Sequence, residues 1–242
     1  MSHPAKRNIG ITKPFSYSVI ILAAGTHLYM KSYGPTSLLK LNHKKTILDH
    51  QLSIIKHLPQ SCLESIVLVV GSSANKVMNS TPDSIVKIEN ENHSNTNATR
   101  SLGMALRAIH TPTVIVLHGD LVFNKYIFSS LKLSHLQTSS VVLDTNFTMK
   151  SKEVGCTTVN QFVERFDYTL PKKWAQVAIL TGKELELCKK ICWNEQYYNY
   201  FLFESFNEIL NMGGKLKTLS PYLLKVTDID SSKDLTFART II

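Results

Sequence analysis

Short apolar runs separated by helix-like segments are the feature that most limits how this chain can fold. Four runs have the length and the β-branched composition of strands buried on both faces; they are Val19–Ala24, Ser65–Val70, Thr113–Leu117 and Ser140–Leu143. Apolar residues at helical spacing lie between them, over Lys44–Leu58 and Thr99–Ile109, and Asp83–Glu89 alternates like a shorter strand. This order predicts an α/β fold, a three-layer sandwich around a mixed, mostly parallel, Rossmann-like sheet.

The pattern changes after Asp144. Residues 154–166 alternate loosely, and Ala175–Leu180 has the composition of another strand. Apolar spacing predicts one helix over Lys183–Trp193 and a second from about Glu195 to Met212, which Gly213 and Gly214 would end. A last strand is expected at Leu223–Val226, followed by a short helix with Ser231 or Ser232 as its N-cap.

The charge of the chain indicates the kind of partner it attracts. The formal net charge is +9, from 27 Lys and Arg against 18 Asp and Glu residues. The basic residues are scattered rather than collected in a block, which favours anionic small molecules over nucleic acid. The four cysteines form no CxxC pair and are expected to be reduced thiols. No apolar run approaches the length of a membrane helix, and the first residues lack the apolar stretch of a signal peptide. We therefore expect a cytoplasmic protein with no membrane segment; a homodimer is compatible with this picture.

Three groups of residues follow predicted strands, where open α/β sheets bind ligands. The first is Ala23-Ala24-Gly25, whose small side chains let backbone N–H groups approach a phosphate or a base. The second is His118-Gly119-Asp120, which places a carboxylate at the mouth of the sheet. The third contains Asp228 and Asp230, which share a face of an extended segment and would repel each other without a cation such as Mg²⁺ between them.

Each group also has a simpler structural explanation. Ala23-Ala24-Gly25 is compatible with an ordinary strand-ending turn, and Asp120 with a turn or a helix cap. Asp228 and Asp230 are compatible with two solvated loop carboxylates. Asn97 and Ser101 offer neutral hydrogen bonds to a ligand, but Asn97 or Thr99 also suits the N-cap of the following helix. The three groups in combination favour the ligand site.

That combination resembles the nucleotidyltransferase superfamily, in particular its small sugar-phosphate and phosphocholine-type cytidylyltransferases. The resemblance extends over nearly the whole chain and depends on the order of its motifs. The matching segments are Leu22–Gly25, Pro35 with Leu38 and Leu39, Ile47–Leu52, Asn90–Asn97 with Ser101, Leu102 and Ala105, Gly119-Asp120, Ile229-Asp230 and Asp234-Leu235.

The resemblance implies a GT-A-like fold, one domain over 1–242, and Mg²⁺-dependent transfer of a nucleotidyl group from an NTP, with CTP favoured. Residues 16–145 would form the nucleotide-binding core, and residues 146–242 would bind the acceptor and complete the metal site. Asp120 and Asp230 would be catalytic metal ligands, with Asp228 beside them. The implied nucleotide-binding residues are Leu22, Ala23, Ala24, Gly25, Thr26, His27, Asn97, Ser101 and Gly119, and those for the phosphorylated acceptor are Asp144, Tyr168 and Trp174.

Two cations that the family normally uses are replaced in this sequence. The family loop A-A-G-x-G-x-R has His27 in place of its second glycine and Tyr29 in place of its arginine, and the usual Pro-Lys pair is Pro35-Thr36. Loss of such a phosphate clamp commonly removes several kcal/mol of transition-state stabilisation. We therefore include Lys31 and Lys40 as candidate catalytic cations. Arg100 is a further substitute, and His27 could add a hydrogen-bond donor.

Three hypotheses about function follow from these observations. The first is a nucleotidyltransferase with an altered phosphate loop, acting on a phosphorylated alcohol, amine or sugar. The second is a protein of the same fold with weak or no transfer activity, serving in binding or regulation, which the replaced arginine and lysine favour. The third is an unrelated basic α/β protein that binds nucleic acid or a phosphorylated partner.

Overall fold

The computed structural model describes residues 15–25, 33–146 and 153–242, and its centre is a nine-stranded sheet with a separate two-stranded sheet at one end. The strands are β1 Tyr17–Ala23, β2 Leu63–Val70, β3 Val86–Glu89, β4 Thr113–His118, β5 Leu121–Phe123, β6 Ser140–Asp144, β7 Val154–Val159, β8 Phe162–Tyr168, β9 Lys172–Thr181, β10 Lys217–Leu219 and β11 Val226–Asp228. The helices are α1 Ile47–Ile55, α2 Ala74–Asn79, α3 Ala98–Arg107, α4 Tyr126–Ser129, α5 Gly182–Cys192, α6 Leu202–Asn211 and α7 Ser232–Ala238. Short 3-10 turns lie at Thr36–Leu38, Gln60–Cys62, His135–Gln137 and Glu195–Tyr197.

The strand order of the large sheet is β3-β2-β1-β4-β9-β6-β10-β8-β7. The β3-β2-β1-β4 half is parallel throughout. In the other half β9 runs antiparallel to both β4 and β6, and the β7–β8 hairpin is antiparallel, while β10 pairs with β6 in parallel. The expected α/β sandwich with a mixed sheet is confirmed, and its parallel pairings lie mainly in the half formed by residues 17–118.

Two hydrophobic cores cover the two faces of this sheet. Successive β1 residues point to opposite sides, so Ile20 packs with helices α3, α5 and α6, while Ile21 packs with α1, α2 and α4. Both side chains are fully buried. This arrangement gives the three layers that the buried apolar runs predict. Within the described ranges, no helix is both long and apolar enough to cross a membrane.

The predicted helix from Glu195 to Met212 is wrong over its first part. A 3-10 turn ends at Tyr197, and α6 starts only at Leu202. The carbonyls between them bind the start of α3 instead: the Asn97 N–H donates to Tyr198 O at 2.7 Å. The hydroxyl of Thr99 donates to Tyr200 O at 2.8 Å. These backbone carbonyls accept hydrogen bonds from the start of α3 rather than from their own segment, so α6 does not begin until Leu202.

The last predicted strand lies a few residues later than expected, because β11 pairs antiparallel with β5. β5 is only three residues long and has no distinct sequence pattern. Its register places Asp228 opposite Leu121, and the Ile229 N–H donates to Asp120 O at 3.1 Å. Ser231 caps α7 and accepts from the Asp234 N–H, as the sequence predicts. The short sheet therefore connects the chain near Asp120 to the chain near Asp230.

Candidate active site

A cavity of about 400 Å³ opens at the carboxyl ends of β1 and β4; we call it the Gly119 cavity. It brings together most of the residues assigned to nucleotide binding by resemblance. Its lining is Leu22, Ala23, Ala24, Gly25, Thr36, Ser37, Asn90, His93, Thr96, Asn97, Ala98, Ser101, His118, Gly119, Asp120 and Phe201. Thr26, His27, Tyr29 and Lys31 lie outside the described residues.

Gly119 is held closely against β1. Its N–H donates to Leu22 O at 2.8 Å, and a Cβ at this position would lie 2.6 Å from the Ala23 Cβ. The position therefore requires glycine, and the close contact fixes Asp120 at the rim of the cavity. Glycine has a packing role here that is independent of any ligand.

The far wall of the Gly119 cavity is polar and neutral. The Asn90 amide donates to Thr96 Oγ1 and to Ser101 Oγ, both at 3.1 Å. Asn97 is the N-cap of α3, where its Oδ1 accepts from the Ala98 N–H at 2.8 Å. The capping role of Asn97 is therefore real, and the residue faces the cavity as well. Ser37 was missed by the sequence analysis: it lines the cavity, is 3% exposed, and its Oγ has no hydrogen-bond partner among the described residues.

The carboxylates of Asp120, Asp228 and Asp230 lie close enough to influence each other. Burial raises the pKa of Asp228 to about 6; Lys173 opposes the rise, and Asp120, Asp230 and Glu153 add to it. β11 ends at Asp228, so the alternation of an extended strand does not cover Asp230, which is exposed. Asp120 lines the Gly119 cavity, whereas Asp228 lines a second cavity.

The charge on this cluster suits a hard divalent cation. Across the described part of the chain, no group of three His, Cys, Asp or Glu side chains is arranged to hold a metal on its own. Mg²⁺ does not need such a group, because it is commonly bound by one or two carboxylates together with substrate phosphates and water. Asp120 and Asp230 fit that donor set.

The second cavity, of about 150 Å³, lies beside the first; we call it the Trp174 cavity. Its lining is His118, Glu153, Val154, Tyr168, Lys173, Trp174, Gln176, Phe201, Leu202, Phe203 and Asp228. Two of the three expected acceptor residues, Tyr168 and Trp174, are therefore present. The third, Asp144, does not line it but ends β6, in register with Lys173 of β9.

Aromatic side chains form one side of the Trp174 cavity. Trp174 is 3% exposed and packs against Phe166 and Phe206, each at a ring-centroid distance of 5.5 Å. Its indole N–H donates to Val177 O at 3.1 Å. Tyr168 meets Phe203 edge to face, with centroids 5.3 Å apart.

A buried ion pair forms the other side. Lys173 Nζ and the Glu153 carboxylate are in direct contact, and their side chains are only 5% and 10% exposed. Burial raises the pKa of Asp144 nearby, against the opposing effects of the Asn146 N–H and Lys173. The sequence analysis does not single out Lys173 or Glu153. The missed signal is that Lys173 occupies a strand whose other residues are largely buried.

Of the expected replacement cations, the two that lie within the described residues, Lys40 and Arg100, are not in the Gly119 cavity. Lys40 is exposed and does not line it. The Arg100 guanidinium lies 4.3 Å over the Tyr198 ring and donates to the Tyr198 hydroxyl at 2.8 Å, so it is held elsewhere. Among the described residues, no lysine or arginine lines this cavity, and Thr36 does.

His118 and Phe201 line both cavities and mark where they meet. His118 ends β4, and its ring contacts Trp174 edge-on at 6.4 Å between centroids. Gln51 fixes the backbone there by donating to His118 O at 2.9 Å and to Leu121 O at 2.8 Å. Two ligands, one in each cavity, would therefore approach each other near His118 and Asp120.

Comparison with known proteins identifies the fold. No protein-family model and no curated protein sequence matches the chain. Solved structures do match. The inositol-1-phosphate CTP transferase of T. maritima is similar with a TM-score of 0.73 and 14% identity, over 94% of this chain and 96% of that one. The CTP:phosphocholine cytidylyltransferase of Streptococcus pneumoniae gives 0.74 and 14%, over 94% and 99%. A nucleoside-diphosphate-sugar pyrophosphorylase of Vibrio cholerae gives 0.67 and 10%, over 91% and 99%.

The chain thus has the nucleotidyltransferase fold over nearly its whole length. This fold match disfavours the third hypothesis, an unrelated basic α/β protein that binds nucleic acid or a phosphorylated partner. The fold by itself leaves open the nucleotide, the acceptor and the metal.

Proposed function

We propose that the protein transfers a nucleotidyl group from an NTP to a phosphorylated small molecule with the help of Mg²⁺. The observation that carries this proposal is the junction of the two cavities. Asp120 stands on one side of it and Asp228 on the other, in a chain with the nucleotidyltransferase fold. A site for one ligand alone would not need two cavities that share His118 and Phe201 and have a carboxylate on each side.

The Gly119 cavity is the proposed nucleotide site. Its small residues at 23–25 leave room for backbone N–H groups to approach phosphate oxygens. The polar groups of Asn90, Asn97 and Ser101 suit a base and a ribose, which are recognised through neutral hydrogen bonds. CTP is the favoured nucleotide, since two of the similar structures are CTP enzymes.

The reaction joins the two ligands at the junction. An oxygen of the acceptor phosphate attacks the α-phosphorus of the NTP; the new P–O bond forms as the α–β bridging P–O bond breaks, and pyrophosphate leaves. Asp120 and Asp230 would hold Mg²⁺, which when bound neutralises charge on the α-phosphate. The chain itself positions the reactants: Gly119 fixes the rim, and His118 and Phe201 separate and align the two ligands.

A second candidate is a binding or regulatory protein of the same fold. The observation in its favour is that Thr36 lines the Gly119 cavity, and no lysine or arginine in the described part of the chain replaces the family's cation there. Such a protein would bind nucleotide and turn it over slowly or not at all. The two candidates differ in turnover rather than in binding.

An assay of pyrophosphate release distinguishes the transferase from the binding or regulatory protein. The protein is incubated with each NTP, Mg²⁺ and a panel of phosphorylated alcohols, amines and sugars, alongside Asp120→Asn and Asp230→Asn. Asp83→Asn is the matched control, because its carboxylate is fully exposed and lines neither cavity. Release by the wild type and by Asp83→Asn, but by neither site variant, supports transfer. Nucleotide-dependent thermal stabilisation without release over the whole panel would select the binding protein instead.

A further inference from the structure

The Trp174 cavity differs from a sugar-binding site because several of its polar groups are already engaged in hydrogen bonds or an ion pair with other residues of the protein. The Trp174 N–H is donated to Val177 O, the Gln176 amide donates to Asp228 at 3.3 Å, and Lys173 pairs with Glu153. A sugar ring presents several hydroxyls that each require a partner when they are buried. This lining has few uncommitted groups to supply them.

The same cavity exposes aromatic surface. Tyr168 is 43% exposed and Phe201 47%. Phe203 links them: it meets Tyr168 edge to face, and it lies parallel to Phe201 with an interplanar angle of 11° and centroids 6.0 Å apart. Aromatic faces carry partial negative charge and attract cations, quaternary ammonium groups included.

The formal charge of the lining adds to this preference. Lys173 and Glu153 form an ion pair, so their charges offset each other, and the remaining acidic side chain of the lining is Asp228. Asp144, in register with Lys173, contributes another carboxyl just outside the lining. A cationic group in the cavity would face a carboxylate and aromatic rings, whereas an anionic one would meet Asp228.

The size of the cavity sets a further limit. About 150 Å³ is below the roughly 300–1,000 Å³ of pockets that enclose drug-sized ligands. A compact head group fits this volume better than an extended one. The cavity shares His118 and Phe201 with the Gly119 cavity, so a group bound here lies next to that cavity.

From these observations we propose that the Trp174 cavity binds the cationic head of an amino-alcohol phosphate, either a primary or a quaternary ammonium. The inference rests on the proposed function for its reaction, and it names the acceptor class: a zwitterion. The ammonium lies against Tyr168 and Phe203 and toward Asp228. The phosphate extends past His118 to the α-phosphorus of the nucleotide.

The test compares acceptors and measures binding separately. Pyrophosphate release with CTP and Mg²⁺ is followed for phosphocholine and phosphoethanolamine against glucose 1-phosphate and inositol 1-phosphate. Choline chloride, which cannot react, is titrated by ligand-observed NMR without nucleotide. We expect kcat/KM for the ammonium acceptors to exceed that of the sugar phosphates by at least 100-fold, and choline to bind.

Two substitutions of Tyr168 test whether the ammonium group binds in the Trp174 cavity. Tyr168→Leu removes an exposed aromatic face and should weaken choline binding and raise the phosphocholine KM by about tenfold. Tyr168→Phe keeps the face and should retain both within about twofold. A structural role for the Tyr168 hydroxyl would instead make the two variants alike.

The outcomes separate the inference from the proposed function. Efficient release with the sugar phosphates, without choline binding, overturns the inference and leaves nucleotidyl transfer intact. Choline binding that Tyr168→Leu weakens, with no release from any acceptor, supports the inference and contradicts transfer. Choline binding that is unchanged in Tyr168→Leu places the ammonium elsewhere and overturns the inference.

Discussion

The Gly119 cavity and the Trp174 cavity are lined by different types of residue. The Gly119 cavity consists of backbone, small residues and neutral polar side chains at the ends of parallel strands. The Trp174 cavity consists of large aromatic rings and a buried ion pair on antiparallel strands and at the start of α6. The first can present main-chain groups to any nucleoside triphosphate. In the proposed reaction the second would bind the acceptor, so its side chains would decide which acceptor fits. Substitutions in the two regions should therefore fail in different ways.

The largest effect should come from the ion pair of the Trp174 cavity. Lys173→Met leaves the Glu153 carboxylate buried without its cation, which should lower the free energy of unfolding by about 3–5 kcal/mol. Adding Glu153→Gln should recover most of the loss, because the orphaned charge is removed. Urea denaturation measures both.

Lys87→Met is the matched control for that variant. Its partner Asp83 is fully exposed, so loss of the pair should change stability little. An equal loss in Lys87→Met and Lys173→Met would show that burial of the pair has no energetic consequence.

In the Gly119 cavity, the substitution expected to cost most stability is one that disturbs the close packing of Gly119 against β1. Gly119→Ala places a Cβ 2.6 Å from the Ala23 Cβ, so β1 or the rim must move, at a cost of about 1–3 kcal/mol in stability. Nucleotide affinity should fall with it. Gly25→Ala, where a Cβ meets no atom within 4 Å, should leave stability nearly unchanged. Calorimetric titration with CTP and thermal unfolding compare the pair, and similar losses in both would contradict the packing argument.

A pH-dependent effect is expected at Asp228, which lines the Trp174 cavity. Its pKa in the folded protein, about 6, lies above the ordinary 3.8, so ionisation of this carboxyl opposes folding at neutral pH. This unfavourable contribution to stability decreases as the pH falls through 6. It disappears below about 3.8, where the carboxyl is protonated in both the folded and the unfolded state. Asp228→Asn should therefore raise the free energy of unfolding by about 1–2 kcal/mol at pH 7.5, and by roughly half as much at pH 5.

Denaturation in the presence of a chelator checks this prediction without interference from divalent cations. The exposed Asp83→Asn should show no such difference between the two pH values. A gain in Asp228→Asn that is the same at pH 5 and pH 7.5 would assign the effect to packing rather than to charge.

The smallest effect is expected when a cationic side chain is introduced into the Gly119 cavity, whose described lining contains no lysine or arginine. Thr36→Lys places an ammonium in the Gly119 lining, where it should tighten CTP binding by about tenfold at low salt. The gain should shrink as ionic strength rises, because the added interaction is electrostatic. Thr36→Met, of comparable length without charge, is the control. Equal affinities for the two variants would mean that another group already supplies this cation.

The sequence was a good guide to one cavity and a poor one to the other. Strands such as Val19–Ala24 are legible because buried parallel strands read as continuous apolar runs, and the residues that follow them meet at one edge of the sheet. Ala23, Gly119 and Asp120 were found in this way. The short strand β5 was not, since three residues carry no period.

Lys173 and Glu153 had no local pattern that could join them. They meet because β9 pairs with β6 and β7, in a register that puts Lys173 opposite both Asp144 and Gly155. Phe203 contacts Tyr168 from the second residue of α6, a helix that starts at Leu202 rather than at the predicted Glu195. Such contacts depend on tertiary register, which motif order does not encode.

Product formation tests the central claim, that the two cavities hold two reactants joined at Asp120. Phosphorus NMR follows CTP, Mg²⁺ and phosphocholine with the wild type, Asp120→Asn and Asp83→Asn, together with CTP binding to each. The account predicts equal amounts of pyrophosphate and a CDP-linked product for the wild type and Asp83→Asn. Asp120→Asn should slow product formation by about 10³-fold or more. Product formation by Asp120→Asn at the wild-type rate, with CTP binding retained, would contradict the claim.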